Sequence, residues 1–178
     1  MPFFPSLKSN ANIGDLYKLN PQTRQPMSQL GRVIMRDESP LTPAQREMIA
    51  AFVSGLNRCD YCFGGHSQVA VNLGIDRGVF EPLFDDVDTA PVEDKLKPIL
   101  RFVKKLTLEP RNMNQSDADA VFSAGWSERA LHDAILVCAR FNFMNRLALG
   151  HGLDPQADDF ERRASGMSYE NPDRGRSD

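Results

Sequence analysis

Residues 41–56 read LTPAQREMIAAFVSGL, and this stretch decides the fold. Thr42 offers an N-cap hydroxyl, Pro43 suits the first helical position, and Gln45 stands where it completes a capping box. These signals predict a helix from Pro43 to about Leu56 or Asn57. One face carries Ile49, Phe52, Val53 and Leu56. The other carries Glu47, Ala50, Ala51, Ser54 and Gly55, all small apart from the glutamate. A helix with two packable faces belongs at the centre of a bundle. Its small-residue face lets a second helix approach closely, with Glu47 pinned at the contact.

That second helix follows at once, over CDYCFGGHSQVAVNLG at residues 59–74, starting around Cys59-Asp60 and ending at the C-cap glycine Gly74. Asp76 is expected to cap a short helix through about Leu83. Thr89 to Leu106 reads as another helix, with Pro91 near its start and Pro98 expected to kink or split it. Ser116 and Ser127 are expected N-caps, the second for a long helix from about Glu128 to Leu149, ended by Gly150 and Gly152. Upstream, the first forty residues read as two short helices broken by Pro21 and Pro26 and ending near Asp37. They lack a strong core pattern and suit a subunit surface. Alternation of β-branched residues is almost absent, so the fold class is all-α. The chain divides into an N-terminal helical extension (1–40), a core domain (41–165) and a polar C-terminal tail (166–178). The tail is expected to be mobile or to dock on a neighbouring subunit.

An apolar share of 41% and a charged share of 25% fit one soluble globular domain and exclude collagen-like or disordered chains. A net charge of -3, with no basic block, gives no footprint for nucleic acid. No apolar run reaches the roughly 18 residues that span a membrane. The opening Met1-Pro2-Phe3-Phe4-Pro5-Ser6-Leu7-Lys8 lacks the pattern of a secretory leader, and the expected location is the cytoplasm. In that reducing compartment a Cys-x-x-Cys pair is catalytic or metal-binding rather than a structural disulfide.

The candidate chemistry lies in Cys59-Asp60-Tyr61-Cys62-Phe63-Gly64-Gly65-His66. On a helix, Cys59, Cys62 and His66 share one stripe, with Cys62 and His66 one turn apart. The helix N-terminus favours a thiolate at Cys59, whereas a neighbouring imidazole favours Cys62; physics alone leaves open which sulfur attacks first. Glu47 on the preceding helix stands where it orients the imidazole or accepts a proton through it.

Glu47, eleven residues, Cys59-x-x-Cys62, three residues and His66 together resemble the core motif of the AhpD-like alkylhydroperoxidase family, in the carboxymuconolactone decarboxylase superfamily. Leu41-Thr42-Pro43 before the glutamate and Gly65-His66, Gln68, Ala70 and Leu73-Gly74 after the cysteines are most similar to its peroxidase-related branch. The match covers roughly Leu41 to Gly74. It implies an AhpD-like helical bundle that is oligomeric, as a trimer, dimer or hexamer, with the site near a subunit contact. It implies reduction of alkyl hydroperoxides, with Cys62 peroxidatic, Cys59 resolving, and His66 and Glu47 forming a proton relay. The redox-active disulfide Cys59–Cys62 would then be reset by an external dithiol, in some members a lipoylated protein, with no cofactor and no bound metal. Tyr61 stands where some members carry a histidine just before the second cysteine.

Three other readings compete. A dithiol redox sensor or disulfide relay uses the same pair without peroxide turnover. A carboxymuconolactone decarboxylase-like enzyme acts on a lactone acid without redox cysteines, so retention of both counts against it. A zinc site would draw on Cys59, Cys62 and His66 with His151 or Glu47, but three ligands on one helix do not easily face one tetrahedral centre. Cys138, inside Ile135-Leu136-Val137-Cys138-Ala139, reads as core; His132 and His151 read as surface or helix-end residues, and Trp126 as a packing anchor. Asn142, Asn145 and Arg146 are polar residues on a mostly apolar helix, placed either at the pocket or at a subunit contact.

Overall fold

The computed structural model of the chain describes residues 1–153, 160–167 and 169. Among them are α1 (Ile13–Leu16), α2 (Arg24–Arg36), α3 (Pro43–Leu56), α4 (Asp60–Asn72), α5 (Phe80–Asp85), α6 (Lys97–Leu108), α7 (Gln115–Ser123), α8 (Glu128–Gly150) and α9 (Phe160–Gly166), and no strand. No helix of the described residues is long and apolar enough to cross a membrane.

The capping box starts α3. Thr42 Oγ1 accepts from the Gln45 N–H at 3.2 Å, and Gln45 Oε1 accepts from the Thr42 N–H at 3.0 Å. Every residue from Arg46 to Ser54 is buried, so α3 runs through the centre of the bundle. Its large-residue face meets α5, α6 and α8 in a core that includes Ile49, Phe52, Val53, Leu83, Ile99, Leu100, Val103, Val137 and Phe141. Its small-residue face takes α4. The turn between them occupies residues 57–59, with Arg58 in the left-handed region at φ 54 and the Cys59 N–H bonded to the Ser54 carbonyl at 2.9 Å. So short a reversal fixes the register of the two helices. Gly55 leaves room for the Phe84 ring, which stacks on Phe52 and meets Phe63 edge-on, both at 5.6 Å.

A smaller cluster gathers Cys59, Tyr61 and Cys62 from the start of α4, Ala11 and Leu16 from the N-terminal segment, and Ala148 and Leu153 from the end of α8. Beside it, the Phe3 N–H bonds the His151 carbonyl at 3.0 Å, and Phe4 stacks on the His151 ring at 4.6 Å.

Four local expectations change. The first forty residues contribute core: Ala11, Leu16, Ile34 and Met35 are buried within their own chain. Pro26 does not break a helix, because it sits in the first turn of α2, where backbone N–H groups have no intrahelical acceptor. For the same reason Pro98 begins α6 rather than kinking it, and residues 89–96 form turns. The N-cap of α7 is Asn114, not Ser116: its side chain accepts from the Ser116 N–H at 3.0 Å, and Asp117 closes a capping box. Of the tail at 166–178, only Gly166, Met167 and Tyr169 fall within the described residues, and the expectation for the rest lies outside them.

The Gly55 contact gives a test of the α3–α5 packing. Gly55→Leu is expected to cost about 1–3 kcal/mol in urea denaturation, since the Phe84 ring fills the space a side chain needs. Combined with Phe84→Ala, the loss is expected to be smaller than the sum of the two single losses. Additive losses would show that the ring does not occupy that space.

Candidate active site

Glu47 lies on the buried face of α3 with 1% of its surface exposed. Its Oε2 is 2.6 Å from Nδ1 of His66 on α4. Its Oε1 accepts the Tyr169 hydroxyl at 2.9 Å and lies 3.4 Å from the Arg36 guanidinium. Arg36 is held there from two sides. Buried Arg46 donates to the carbonyls of Ile34 at 3.2 Å and Asp37 at 2.8 Å, which ties down the end of α2. Arg36 itself lies over the Tyr169 ring at 3.7 Å and donates to the Met167 carbonyl. The His66 ring meets Phe141 edge-on at 4.4 Å, so an aromatic wall from α8 sets its tilt.

Burial pushes the Glu47 carboxyl up. The charge and hydrogen bond of His66, the Arg36 guanidinium and the Tyr169 hydroxyl outweigh burial and hold it below its ordinary 4.5. Tyr169 moves the other way: burial and the Glu47 charge push its phenol up, so it keeps its proton and donates. An ionised Glu47 accepts at both oxygens. The hydrogen between Glu47 and His66 therefore sits on Nδ1, and Nε2 is the nitrogen left for proton traffic.

Cys59 and Cys62 are free thiols, 0% and 4% exposed. Cys59 occupies the N-cap position of α4. The polar groups that favour its thiolate are, largest first, the Cys62 thiol, the Cys62 backbone N–H and the Asn145 amide. Together the three hold the Cys59 thiol below its ordinary value, against burial and the Asp60 charge, which push it up. Tyr61 takes no part in the Glu47–His66 pair; its hydroxyl accepts the Ile13 N–H at 3.2 Å and ties α1 to α4.

The four residues singled out in the sequence thus lie together: Glu47 is bonded to His66, Cys59 and Cys62 share a buried cluster at the start of α4, and Cys62 and His66 stand one turn apart on it. Sequence reasoning missed Arg36 and Tyr169. Nothing distinguishes Arg36 from an ordinary helix-end arginine; the signal for Tyr169 was a lone aromatic in a polar tail. Asn145 is buried and Asn142 half-buried, and both bond within the chain: Asn57 Nδ2 donates to Asn142 Oδ1 at 3.2 Å and to Asn145 Oδ1 at 3.0 Å. Cys138 is buried beside Thr107 Oγ1 at 3.3 Å, and burial pushes its thiol up. His132 is exposed, His151 Nδ1 lies 2.8 Å from the Leu147 carbonyl, and Trp126 Nε1 donates to the Lys95 carbonyl at 2.7 Å. Among the described residues no three or more His, Cys, Asp or Glu side chains are grouped as a metal ion requires.

Residues 21–81, which contain all four, match the model of the Carboxymuconolactone decarboxylase family. The fold resembles that of an uncharacterized peroxidase-related protein from Silicibacter sp. TM1040, with TM-score 0.76 and 28% identity over 84% of this chain and 78% of that one. An uncharacterized peroxidase-related protein from Ralstonia eutropha JMP134, described as an alkylhydroperoxidase AhpD core, shares the fold with TM-score 0.74 and 22% identity, over 82% of this chain and 76% of that one. So does a protein of unknown function from Agrobacterium tumefaciens, with TM-score 0.70 and 17% identity, over 83% of this chain and 97% of that one. No curated protein matches the chain. The segment that carries the glutamate, both cysteines and the histidine is thus similar to the Carboxymuconolactone decarboxylase family, and it is set in the fold of an uncharacterized peroxidase-related protein and of an AhpD core.

Proposed function

We propose that the chain is a thiol-dependent peroxidase that reduces alkyl hydroperoxides, with Cys62 peroxidatic, Cys59 resolving, and His66 and Glu47 as the proton relay. The observation that carries the reading is the buried Glu47 carboxylate 2.6 Å from His66 Nδ1, one helical turn from Cys62, which shares a buried cluster with Cys59. Peroxidase-related neighbours support it.

The cycle follows from the division between the sulfurs. Cys62 is a free thiol at rest, so a base must remove its proton before it attacks. His66 is that base, and Glu47 stabilises the imidazolium that forms. The Cys62 thiolate attacks the outer peroxide oxygen, the O–O bond breaks, and the alkoxide leaves with the proton from His66. Cys62 becomes a sulfenic acid. Cys59 then attacks the Cys62 sulfur; the S–S bond forms, the S–O bond breaks, and the departing hydroxide takes the Cys59 proton and leaves as water. An external dithiol or a lipoylated protein supplies the two electrons that reopen the disulfide, and the working form is a homo-oligomer.

One observation favours a second reading. With the Cys59 thiol held below its ordinary value, the pair suits a disulfide relay in which Cys59 attacks a partner disulfide first.

Intact mass after brief exposure to stoichiometric cumene hydroperoxide separates the two. Wild type is expected to lose two hydrogens, Cys59→Ser to gain one oxygen, and Cys62→Ser to stay unchanged and inactive. A Cys62→Ser protein that gains the oxygen reverses the roles, and no change in any species leaves the relay reading. Glu47→Gln is expected to lower turnover by about 10²-fold or more.

Glu47 also links stability to pH. Its carboxyl lies below the ordinary 4.5 when folded, so its contribution is complete above that value and fades as pH falls through the lower folded value. Acidification from about pH 7 to about pH 3.5 is therefore expected to lower the urea midpoint of wild type more than that of Glu47→Gln, all other acidic groups being common to both. Equal falls would show that folding does not lower the Glu47 carboxyl.

A further inference from the structure

The C-terminal segment reaches the Glu47–His66 pair and is fastened on three helices. α9 packs against α4, where the Phe160 ring fills the space that a side chain at Gly64 would need. Beyond it the Met167 carbonyl accepts from the Arg36 guanidinium of α2, which lies 3.7 Å from the centre of the Tyr169 ring. The Tyr169 hydroxyl donates to Glu47 Oε1 of α3 at 2.9 Å. The other carboxylate oxygen, Oε2, is left to His66 Nδ1 at 2.6 Å.

Proton traffic on this pair has a fork. When His66 Nε2 takes a proton, the hydrogen between Nδ1 and Oε2 has two places to rest. On nitrogen it leaves an imidazolium beside a carboxylate; on oxygen it leaves a neutral ring beside a neutral acid. What stands at Oε1 decides between them, because a donor there favours the carboxylate over the acid. Two donors stand there, the Tyr169 phenol and, at 3.4 Å, the Arg36 guanidinium.

We propose that Tyr169 is a positioning residue that, acting through Oε1, keeps the shared hydrogen on His66 Nδ1, so that a proton taken from a thiol stops at the imidazole and Glu47 never carries it. The consequence is chemical. An imidazolium is a far stronger acid than a neutral imidazole, so charge kept on the ring keeps the Nε2 hydrogen ready for a departing oxygen or sulfur. The phenol suits the task, since burial and the Glu47 charge make it hold its own proton. Of the other charged groups, Arg46 beside Glu47 on α3 is turned to the Ile34 and Asp37 carbonyls, and Arg140 of α8 senses the Glu47 charge. Both remain cations without Tyr169, so the effect of its hydroxyl can be isolated. The inference deepens the relay proposed above and rests on His66 acting as its base; it does not require peroxide as the oxidant.

The test reads the Glu47 carboxyl itself, by carbon NMR of protein labelled at its glutamate side chains; the signal missing from Glu47→Gln identifies it. Tyr169→Phe keeps the ring under Arg36 and removes only the hydroxyl. It is expected to raise the pH at which Glu47 titrates by about half a unit, which is about threefold more neutral acid at any pH well above the midpoint. Tyr169→Leu, which removes the ring as well, is expected to raise it further. Phe160→Ala alters no ionisable group and is expected to act in the same direction by loosening α9 from α4. Glu161→Gln, a change of exposed charge on α9, is expected to titrate as wild type. In nitrogen-labelled wild type, the hydrogen shared with Glu47 is expected to keep its one-bond coupling to His66 Nδ1 as pH falls. A Glu47 titration unmoved in folded Tyr169→Phe and Tyr169→Leu, or a coupling lost in wild type, overturns the inference, whatever the peroxide turnover. A moved titration in a protein that never reduces peroxide leaves the inference standing while the peroxidase reading falls.

Discussion

A carboxylate enclosed in apolar surroundings costs several kcal/mol unless its charge is answered on every side. Glu47 is answered by three groups from three parts of the chain: His66 from α4, Arg36 from the end of α2 and Tyr169 from beyond α9. Each of those elements must be in place for the ion to be tolerated. The small-residue face of α3 is what brings α4 near enough, and the three-residue turn at 57–59 is what puts His66 rather than a neighbour opposite the carboxylate. The histidine tautomer, and with it the free Nε2, is inherited from this one buried charge.

The two pairs are supported by different parts of the molecule. The Glu47–His66 pair is braced from α2, from Phe141 on α8 and from the C-terminal segment. The cysteine pair is packed by Ala148 of α8 and by Ala11 and Leu16 of the N-terminal segment, and the Cys59 N–H is bonded to the Ser54 carbonyl of α3. The helix α4 joins them. Residues that fix one pair can therefore be altered without directly loosening the other.

Much of this was legible in the sequence, and the reasons are local. The Thr42–Gln45 box, the alternation of large and small faces on α3, and the Gly74 stop depend on residues within a turn or two of each other. The Glu47-to-His66 spacing was readable because two adjacent helices joined by a tight turn behave almost as one rigid unit. What was not readable needed contacts across the chain. Pro26 and Pro98 looked like breakers because their positions relative to the true helix starts were unknown. Ser116 and Asn114 are both capping types, and only the capping box with Asp117 decides between them. Arg36 and Tyr169 lie 11 and 122 residues from the carboxylate they serve, with no periodic pattern linking them. Asn145 could be noticed as polar among apolar neighbours, but its orientation depends on Asn57 and Ser54, far away in sequence.

The anchoring of α1 by Tyr61 changes what the beginning of the chain is for. Ala11 and Leu16 share an apolar cluster with both sulfurs, and Phe3 and Phe4 are fastened to the end of α8. The first sixteen residues are part of the packing around the two sulfurs. A division of the sequence at residue 40 would cut through that packing. Relatives with the same four-residue motif but a different leader would then enclose the two sulfurs differently, with the motif itself unchanged.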